Sequence, residues 1–92
     1  MGFFAFEALS VTNTSVALTA ATYLGATHAH IYCDIAAVRV RFDGTAPTTT
    51  VGLAVEVGDE LYLDELYEIS NFRAIREGGT SATLQVHYGY GE

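Results

Sequence analysis

The sequence predicts an all-β protein, a single small β-sandwich, jelly-roll-like or Ig-like, of about seven or eight short antiparallel strands. Apolar and polar residues alternate with the period of two that is typical of strands with one buried face. The alternating runs recur roughly every 8 to 12 residues and are separated by turn-forming residues, as in sandwiches. Helical stripes are nearly absent, and 92 residues support one hydrophobic core. Residues 1–92 are therefore expected to form one domain.

The first two predicted strands lie near the start of the chain. The first strand alternates in polarity between its faces, with apolar Phe4, Phe6 and Ala8 on one face and Glu7 on the other. The polar residues 12–14 separate it from a second strand over 16–20. Residues 1–12 are also a candidate arm that contacts a neighbouring subunit. Residues 22–25 resemble one helical turn that a glycine closes.

The central strands show the clearest alternation. In the first of them, the apolar residues are Ala29, Ile31, Cys33 and Ile35, and the residues on the opposite face are His28, His30, Tyr32 and Asp34. In the next, the apolar residues are Val38, Val40 and Phe42, and the opposite face carries Arg39, Arg41 and Asp43. A polar loop over 43–50, which contains Pro47, then joins two strands or two sheets.

Residues 53–63 are predicted to form a β-hairpin. The apolar residues of its two strands are Leu53, Val55 and Val57 before the turn and Leu61 and Leu63 after it. Gly58 and Asp59 lie between them and suit a tight turn.

The last third of the chain is predicted to contain one short helix and two strands. Leu66 and Ile69 lie three residues apart, which favours a one-turn helix or a 3₁₀ corner over 64–70. A short strand over 72–76 is followed by a turn at Gly78–Gly79. The final strand, over 83–88, has Leu84, Val86 and Tyr88 on one face.

Composition excludes several functional classes. The chain has four arginines and no lysine against 11 Asp+Glu, with a formal net charge of −7, so we expect no nucleic-acid partner. No apolar run approaches the roughly 20 residues of a membrane-spanning helix, and the first residues lack the pattern of a secretory signal, so we expect the chain to be used as written. Charged residues make up 16% of the chain, below the roughly 25% usual for soluble domains. With a mean hydropathy of +0.25, this indicates a surface partly covered by other protein.

Catalytic and metal-binding patterns are weak. The single cysteine, Cys33, excludes an internal disulfide and is expected to be buried. His28 and His30 share a strand face with Asp34, and His87 lies on a candidate neighbouring strand, so a zinc or iron site is one alternative. A polar or interface-facing strand surface is favoured instead. No serine lies in a Gly-x-Ser-x-Gly elbow.

The carboxylates over 59–68 are interleaved with leucine and tyrosine, which favours the solvated rim of a sheet over a calcium site. We therefore expect no enzymatic activity, no cofactor and no bound metal.

Aromatic and arginine side chains are the candidate interface residues. Six tyrosines and five phenylalanines exceed what so small a core must hold, and tyrosine is enriched at protein interfaces. The arginines are candidates for pairing with acidic groups of a neighbouring copy or another protein. The candidates are Phe3, Phe4, Arg39, Arg41, Tyr62, Tyr67, Arg73, Arg76, Tyr88 and Tyr90.

Several pieces of the chain resemble small β-rich structural proteins of tailed bacteriophages. They are Val38-Arg39-Val40-Arg41-Phe42-Asp43-Gly44-Thr45-Ala46-Pro47-Thr48, Val51-Gly52, Val57-Gly58-Asp59, Phe72-Arg73-Ala74-Ile75-Arg76 and Gly79-Thr80-Ser81-Ala82-Thr83-Leu84. The likeness spans roughly residues 28–88 and includes no catalytic motif.

The resemblance implies a virion component, a capsid decoration or cement protein made in the host cytoplasm and placed on the capsid surface. It implies as partners the major capsid protein and copies of the chain itself, as a homotrimer. A tail, neck or fibre-associated module is the alternative. From the residues alone, a small carbohydrate- or metal-binding β-domain that uses His28, His30 and nearby tyrosines remains a third hypothesis.

Overall fold

The computed structural model describes residues 2–90, which form eight strands and two short helices. The elements are β1 (Gly2–Val11), β2 (Val16–Ala17), α1 (Ala20–Tyr23), β3 (His28–Asp34), β4 (Val38–Arg41), β5 (Leu53–Val55), β6 (Glu60–Leu63), α2 (Leu66–Asn71), β7 (Arg73–Arg76) and β8 (Ala82–Tyr90). The prediction of an all-β protein with about seven or eight short strands is confirmed. The two helices are the single turns that the sequence indicates near 22–25 and 64–70. Among the described residues, no helix has the length and apolar character needed to cross a membrane.

The strands form two antiparallel sheets of four strands. We call the sheet with the order β1-β8-β3-β6 the front sheet and the sheet with the order β2-β7-β4-β5 the back sheet. Strand β1 pairs with β8, β2 with β7, β3 with β6 and β4 with β5, so the first half of the chain is paired against the second half in reverse order. This is the strand order of a jelly roll, which decides between the two predicted kinds of sandwich.

The core lies between the two sheets and is built from alternate strand positions. In β3 the buried and half-buried positions alternate strictly, with Ala29, Ile31 and Cys33 buried, as the sequence predicts. In β4, Val38 and Val40 face the core, again as predicted. Burying each valine, leucine, isoleucine or phenylalanine stabilises the fold by about 1.5 to 3 kcal/mol. The largest fully buried side chains are Tyr88, Phe72, Ile31, Ile69, Leu84, Val11, Val38, Val40 and Val86.

The predicted hairpin over 53–63 is wrong. Strand β5 pairs with β4 in the back sheet, whereas β6 pairs with β3 in the front sheet. The Gly58 amide donates to the Cys33 carbonyl at 2.9 Å, and the Cys33 amide donates to the Asp59 carbonyl at 3.0 Å. The turn is thereby tied to the end of β3, so the chain after it enters the front sheet instead of folding back on β5.

Strand β1 alternates as predicted, but the apolar face is the outer one. Its register places Glu7 opposite Val86, which is fully buried, and Phe6 opposite the exposed His87. Glu7 therefore points between the sheets, and Phe6 and Ala8 point to solvent. Residues 2–11, within the candidate arm, are an edge strand of the chain's own front sheet, with a bulge between Phe3 and Ala5.

The turn between β3 and β4 contains a strained residue. Ile35 has a φ of 77°, a left-handed conformation that is unfavourable for a β-branched side chain. The Ala36 amide donates to the Asp34 carbonyl at 2.9 Å across Ile35, which makes this the rare, strained form of the γ-turn. A sterically strained residue of this kind costs about 1 to 3 kcal/mol.

Replacing Ile35 by glycine is expected to raise the free energy of unfolding by about 1 kcal/mol. Glycine adopts positive φ without a steric cost, and the Ile35 side chain is 62% exposed, so little packing is lost. Urea denaturation measures the change. Ile35→Ala is the control, because it keeps the Cβ and the strain. A lower stability of Ile35→Gly than of Ile35→Ala would contradict this reading of the turn.

Cys33 is fully buried, as predicted, with its Sγ 3.2 Å from the Ala36 carbonyl oxygen. Burial raises the pKa of its thiol to about 11, and the nearby carboxylates of Asp59, Glu56 and Asp34 add to the rise. In the unfolded chain the thiol ionises near its ordinary pKa of 9.0. Between these two values the unfolded chain therefore binds fewer protons than the folded chain, and stability falls as pH rises.

The free energy of unfolding is accordingly expected to decline between pH 9 and pH 11, the interval set by the Cys33 pKa values. Urea denaturation of the native protein and of Cys33→Ala across this interval isolates the thiol, because the two proteins differ only at this side chain. The free energy of unfolding of Cys33→Ala should decline less steeply with pH than that of the native protein. Equal slopes for the two proteins would contradict the assignment.

Candidate functional site

The outer face of the front sheet carries a row of four aromatic rings, one from each strand. In sheet order they are Phe6 on β1, His87 on β8, His30 on β3 and Tyr62 on β6, and each is the register partner of the next. The ring centroids are 4.8 Å apart from Phe6 to His87, 6.3 Å from His87 to His30 and 4.7 Å from His30 to Tyr62. Directly opposed side chains on neighbouring strands are the closest contacts on a sheet face. We call these four residues the aromatic row.

The aromatic row is largely exposed. Phe6 is 49% exposed and Tyr62 is 64% exposed. Phe3, half exposed as well, extends the row along β1, with its ring centroid 5.7 Å from that of His87. Three half-exposed rings leave roughly 300 Å² of aromatic surface, and the two imidazoles add to it. A contiguous apolar patch of this size marks an interaction surface more often than isolated exposed side chains do.

A second exposed pair of aromatic rings lies where β1 begins and β8 ends. Phe4, at the start of β1, has its ring centroid 5.6 Å from that of Tyr90, at the end of β8. Both side chains are about half exposed. Tyr90 has the strand parity of the buried Tyr88, so this pair lies outside the aromatic row.

The outer face of the front sheet carries little charge. Among its described strand positions, the carboxylates are Asp34 and Glu60. Glu60 is already paired with His30, with 2.6 Å between Oε1 and Nε2. His28 lies on the same face, and its Nδ1 is 2.8 Å from the Thr27 hydroxyl. All three histidines of the chain therefore share this face, so their predicted proximity is confirmed.

The rings of the histidines do not form a metal site. Those of His30 and His87 stack, with 24° between their planes. In the part of the chain that the structure describes, no three His, Cys, Asp or Glu side chains are placed to hold a metal ion.

Three of the four arginines lie on the outer face of the back sheet. Arg39 donates to Glu77 at 2.9 Å and to the Gly52 carbonyl at 3.0 Å. Arg41 is paired with Asp43 at 2.6 Å, and its hydrogen bond holds the pKa of the Asp43 carboxyl below its ordinary value. Arg73 lies beside Arg41 in the register and donates to the Ser15 hydroxyl at 3.1 Å. Two of the arginines predicted to pair with another protein are thus already paired within the chain.

The fourth arginine, Arg76, ends β7 and donates to the Ser81 hydroxyl at 3.4 Å. Among the described residues, no carboxylate lies within salt-bridge distance of Arg73 or Arg76.

Tyr88 is not at the surface, contrary to its place among the interface candidates. Its side chain is fully buried, because its strand position faces the core. The Tyr88 hydroxyl donates to the Glu7 carboxylate. Burial is the main cause of the raised pKa of this hydroxyl, and the hydrogen bond to Glu7 is the second cause. Tyr67, on α2, is 65% exposed but lies outside the aromatic row.

Phe6 is not among the interface candidates, because it lies on the apolar face of its predicted strand. His30 and His87 are not among them either, although the sequence favours a polar or interface-facing strand surface for the histidines over a metal site. No local signal in the sequence identifies Phe6, because the alternation of β1 does not show which of its faces is buried.

An open cleft of about 450 Å³ lies between α2 and the strands β4 and β5. Its apolar lining includes Val40, Phe42 and Leu53. The carboxylates at its margin belong to Asp43, Glu65 and Glu68. This arrangement offers no nucleophile next to a base.

Comparison with protein-family models, with curated proteins and with solved structures finds no match to this chain. The jelly-roll class includes viral capsid domains, lectins and cupins, so the fold by itself leaves the function open. The aromatic row is therefore the feature of this structure that points to a function.

Proposed function

We propose that the protein is a non-enzymatic structural protein of a bacteriophage virion, a decoration or cement protein that binds the capsid exterior and stabilises the shell. The observation that carries this proposal is the exposed aromatic row, which marks the chain as one that binds other protein chains. The resemblance of residues 28–88 to phage structural proteins supplies the partner, the major capsid protein. Viral capsid domains are also among the proteins built on jelly rolls, which supports the proposal by analogy.

Among the described residues, the surroundings of Cys33 and of three serines fit a binding role. The space between the sheets is filled by apolar side chains, and Cys33 is buried among them. Among the described residues, the side-chain hydrogen bonds of Ser15, Ser70 and Ser81 go to arginine or to a backbone carbonyl, with no histidine among their partners. A nucleophilic serine needs a base within hydrogen-bond reach.

The proposed mechanism is bridging between capsid subunits. Each copy covers apolar surface shared by adjacent subunits, so separating the subunits must also break the contacts with the decoration protein. Many equivalent copies on a lattice bind with high avidity even where each contact is weak. Arg73 and Arg76 contribute charged contacts, which set register and specificity more than affinity. The net charge of −7 disfavours contact with packaged DNA.

Removing the protein from virions tests this function. Particles that lack the chain should release DNA at a lower temperature than complete particles, because the bridges are gone. Adding back the purified protein should restore the release temperature. Unchanged release in its absence would contradict the reinforcing role.

Two alternatives differ in measurable ways. A tail, neck or fibre-associated module would be present at low copy number. A carbohydrate-binding domain is favoured by one observation, the Tyr62 ring packed against His30 and open to solvent, because sugars bind on exposed aromatic faces. Glycan binding by the native protein that is lost in His30→Ala would favour the carbohydrate-binding function over the virion role.

A further inference from the structure

We propose that two copies of this chain pack face to face through the aromatic row and form a two-fold dimer. The inference deepens the proposed function and rests on it in one respect, that the outer face of the front sheet is a protein interface. In this dimer, a second copy of the chain occupies the outer face of the front sheet. The capsid shell is then bound by other surfaces, which include the back sheet.

The order of rings in the aromatic row suits a two-fold axis. Phe6 and Tyr62 are the ends of the row, and His87 and His30 are its centre. An axis that lies in the interface plane, parallel to the strands and midway between β8 and β3, places Phe6 against the partner subunit's Tyr62 and His87 against the partner subunit's His30. Every ring then contacts a ring of the partner subunit. Both copies use the same patch, as in an isologous interface.

Charge permits contact between two copies at this face. Two copies that each carry a net charge of −7 repel one another, so they approach best where carboxylates are few. On the outer face of the front sheet, Glu60 is hydrogen-bonded to His30, and Asp34 lies at the end of β3 away from the centre of the row. The chain's other carboxylates are concentrated over 56–59 and 64–68, outside this face.

The size of the face is sufficient for a dimer. Strands of ten, nine, seven and four residues, about 4.8 Å apart, give a face of roughly 500 Å² in projection. Protruding rings raise the accessible area toward the roughly 800 Å² per partner of a stable interface. The aromatic row crosses this face from one edge strand to the other, with His87 and His30 at its centre. The resemblance implies a trimer, whereas the aromatic row favours a pair.

Sedimentation equilibrium of the purified protein tests the dimer. At concentrations up to about 100 µM, the native chain should show twice its mass of 9.9 kDa. Phe6→Ser and Tyr62→Ser should each weaken association by at least about tenfold, because each removes an anchoring ring. Tyr67→Ser is the matched control, since Tyr67 is 65% exposed and Tyr62 64%, and it should leave association unchanged.

Circular dichroism and urea denaturation of the same variants show that they are folded. A native protein that is monomeric throughout this range, or trimeric, would overturn the dimer. Equal weakening by Tyr67→Ser and Tyr62→Ser would overturn the assignment to the aromatic row. If the chain is monomeric but still binds capsids, the dimer is contradicted and the proposed function is not. Failure of the dimer can therefore be told apart from failure of the proposed function.

Disulfide trapping tests the two-fold register separately. In a Cys33→Ala background, His87→Cys and His30→Cys are prepared as two single variants and mixed under mild oxidation. The mixed disulfide should form faster than either symmetric one, because His87 of one copy faces the partner subunit's His30. A mixture that includes Tyr67→Cys instead of His30→Cys is the control and should not be trapped. Equal yields of all disulfides would overturn the register.

Discussion

Glu7→Ala is expected to lower the free energy of unfolding by about 3 kcal/mol. The Glu7 carboxylate accepts hydrogen bonds from the Tyr88 hydroxyl, from the Thr19 amide at 3.1 Å and from the Thr19 hydroxyl at 2.7 Å. Tyr88 is fully buried, so removing Glu7 leaves its hydroxyl without a partner and away from water. An unsatisfied buried donor costs about 1 to 3 kcal/mol, and the loss of the contacts with Thr19 adds to that.

Urea denaturation measures this effect, with Glu60→Ala as the matched control. Glu60 is hydrogen-bonded to His30, but its own side chain is 50% exposed, so its removal should cost less than about 1 kcal/mol. Combining Glu7→Ala with Tyr88→Phe should cost less than the sum of the two single changes, because both remove the same hydrogen bond. A loss in Glu7→Ala no larger than in Glu60→Ala would contradict the buried role of Glu7.

Phe72→Ala is expected to lower the free energy of unfolding by about 4 kcal/mol. Phe72 has no exposed surface and lies between the end of α2 and the start of β7, with its ring centroid 5.8 Å from that of Phe42. Truncation removes the buried ring and leaves a cavity that the strands cannot close. Small domains have total stabilities of about 5 to 15 kcal/mol, so the variant should be close to unfolding at elevated temperature.

Thermal and urea unfolding check this expectation, with Leu66→Ala as control. Leu66 is an apolar residue of the neighbouring α2 but is 53% exposed, and its truncation should change stability by about 0.5 kcal/mol or less. Comparable losses for the two variants would show that Phe72 does not anchor the core.

The elements that the sequence predicts well are those whose polarity pattern agrees with their burial. In β3 and β4 the apolar side chains are the buried ones, so alternation alone identifies both the strand and its inner face. The single turns of α1 and α2 follow from local spacing and a closing glycine. These are short-range features, and the sequence contains all the information they need.

The parts that the sequence does not predict depend on distant contacts. Alternation shows that Phe6 and Glu7 lie on opposite faces of β1, but it does not show which face is buried. That choice depends on donors 12 and 81 residues away, on Thr19 and Tyr88. The Gly58–Asp59 turn likewise has the composition of a hairpin, and it is its pairing with Cys33 that sends the chain into the other sheet.

The candidate site was predictable only in part. The excess of aromatic residues and the shared face of His28 and His30 are visible in the sequence. The aromatic row also requires that β8 lie between β1 and β3, which brings His87 between Phe6 and His30. No local pattern specifies that order, because the pairing of β1 with β8 joins the two ends of the chain.

The number of copies of this chain in purified virions, measured by quantitative mass spectrometry, tests the proposed function most directly. A decoration protein on a symmetric shell predicts on the order of hundreds of copies per particle. About six to twelve copies would contradict a place on the shell and favour the tail or neck. Absence of the chain from the particle would contradict the virion role altogether.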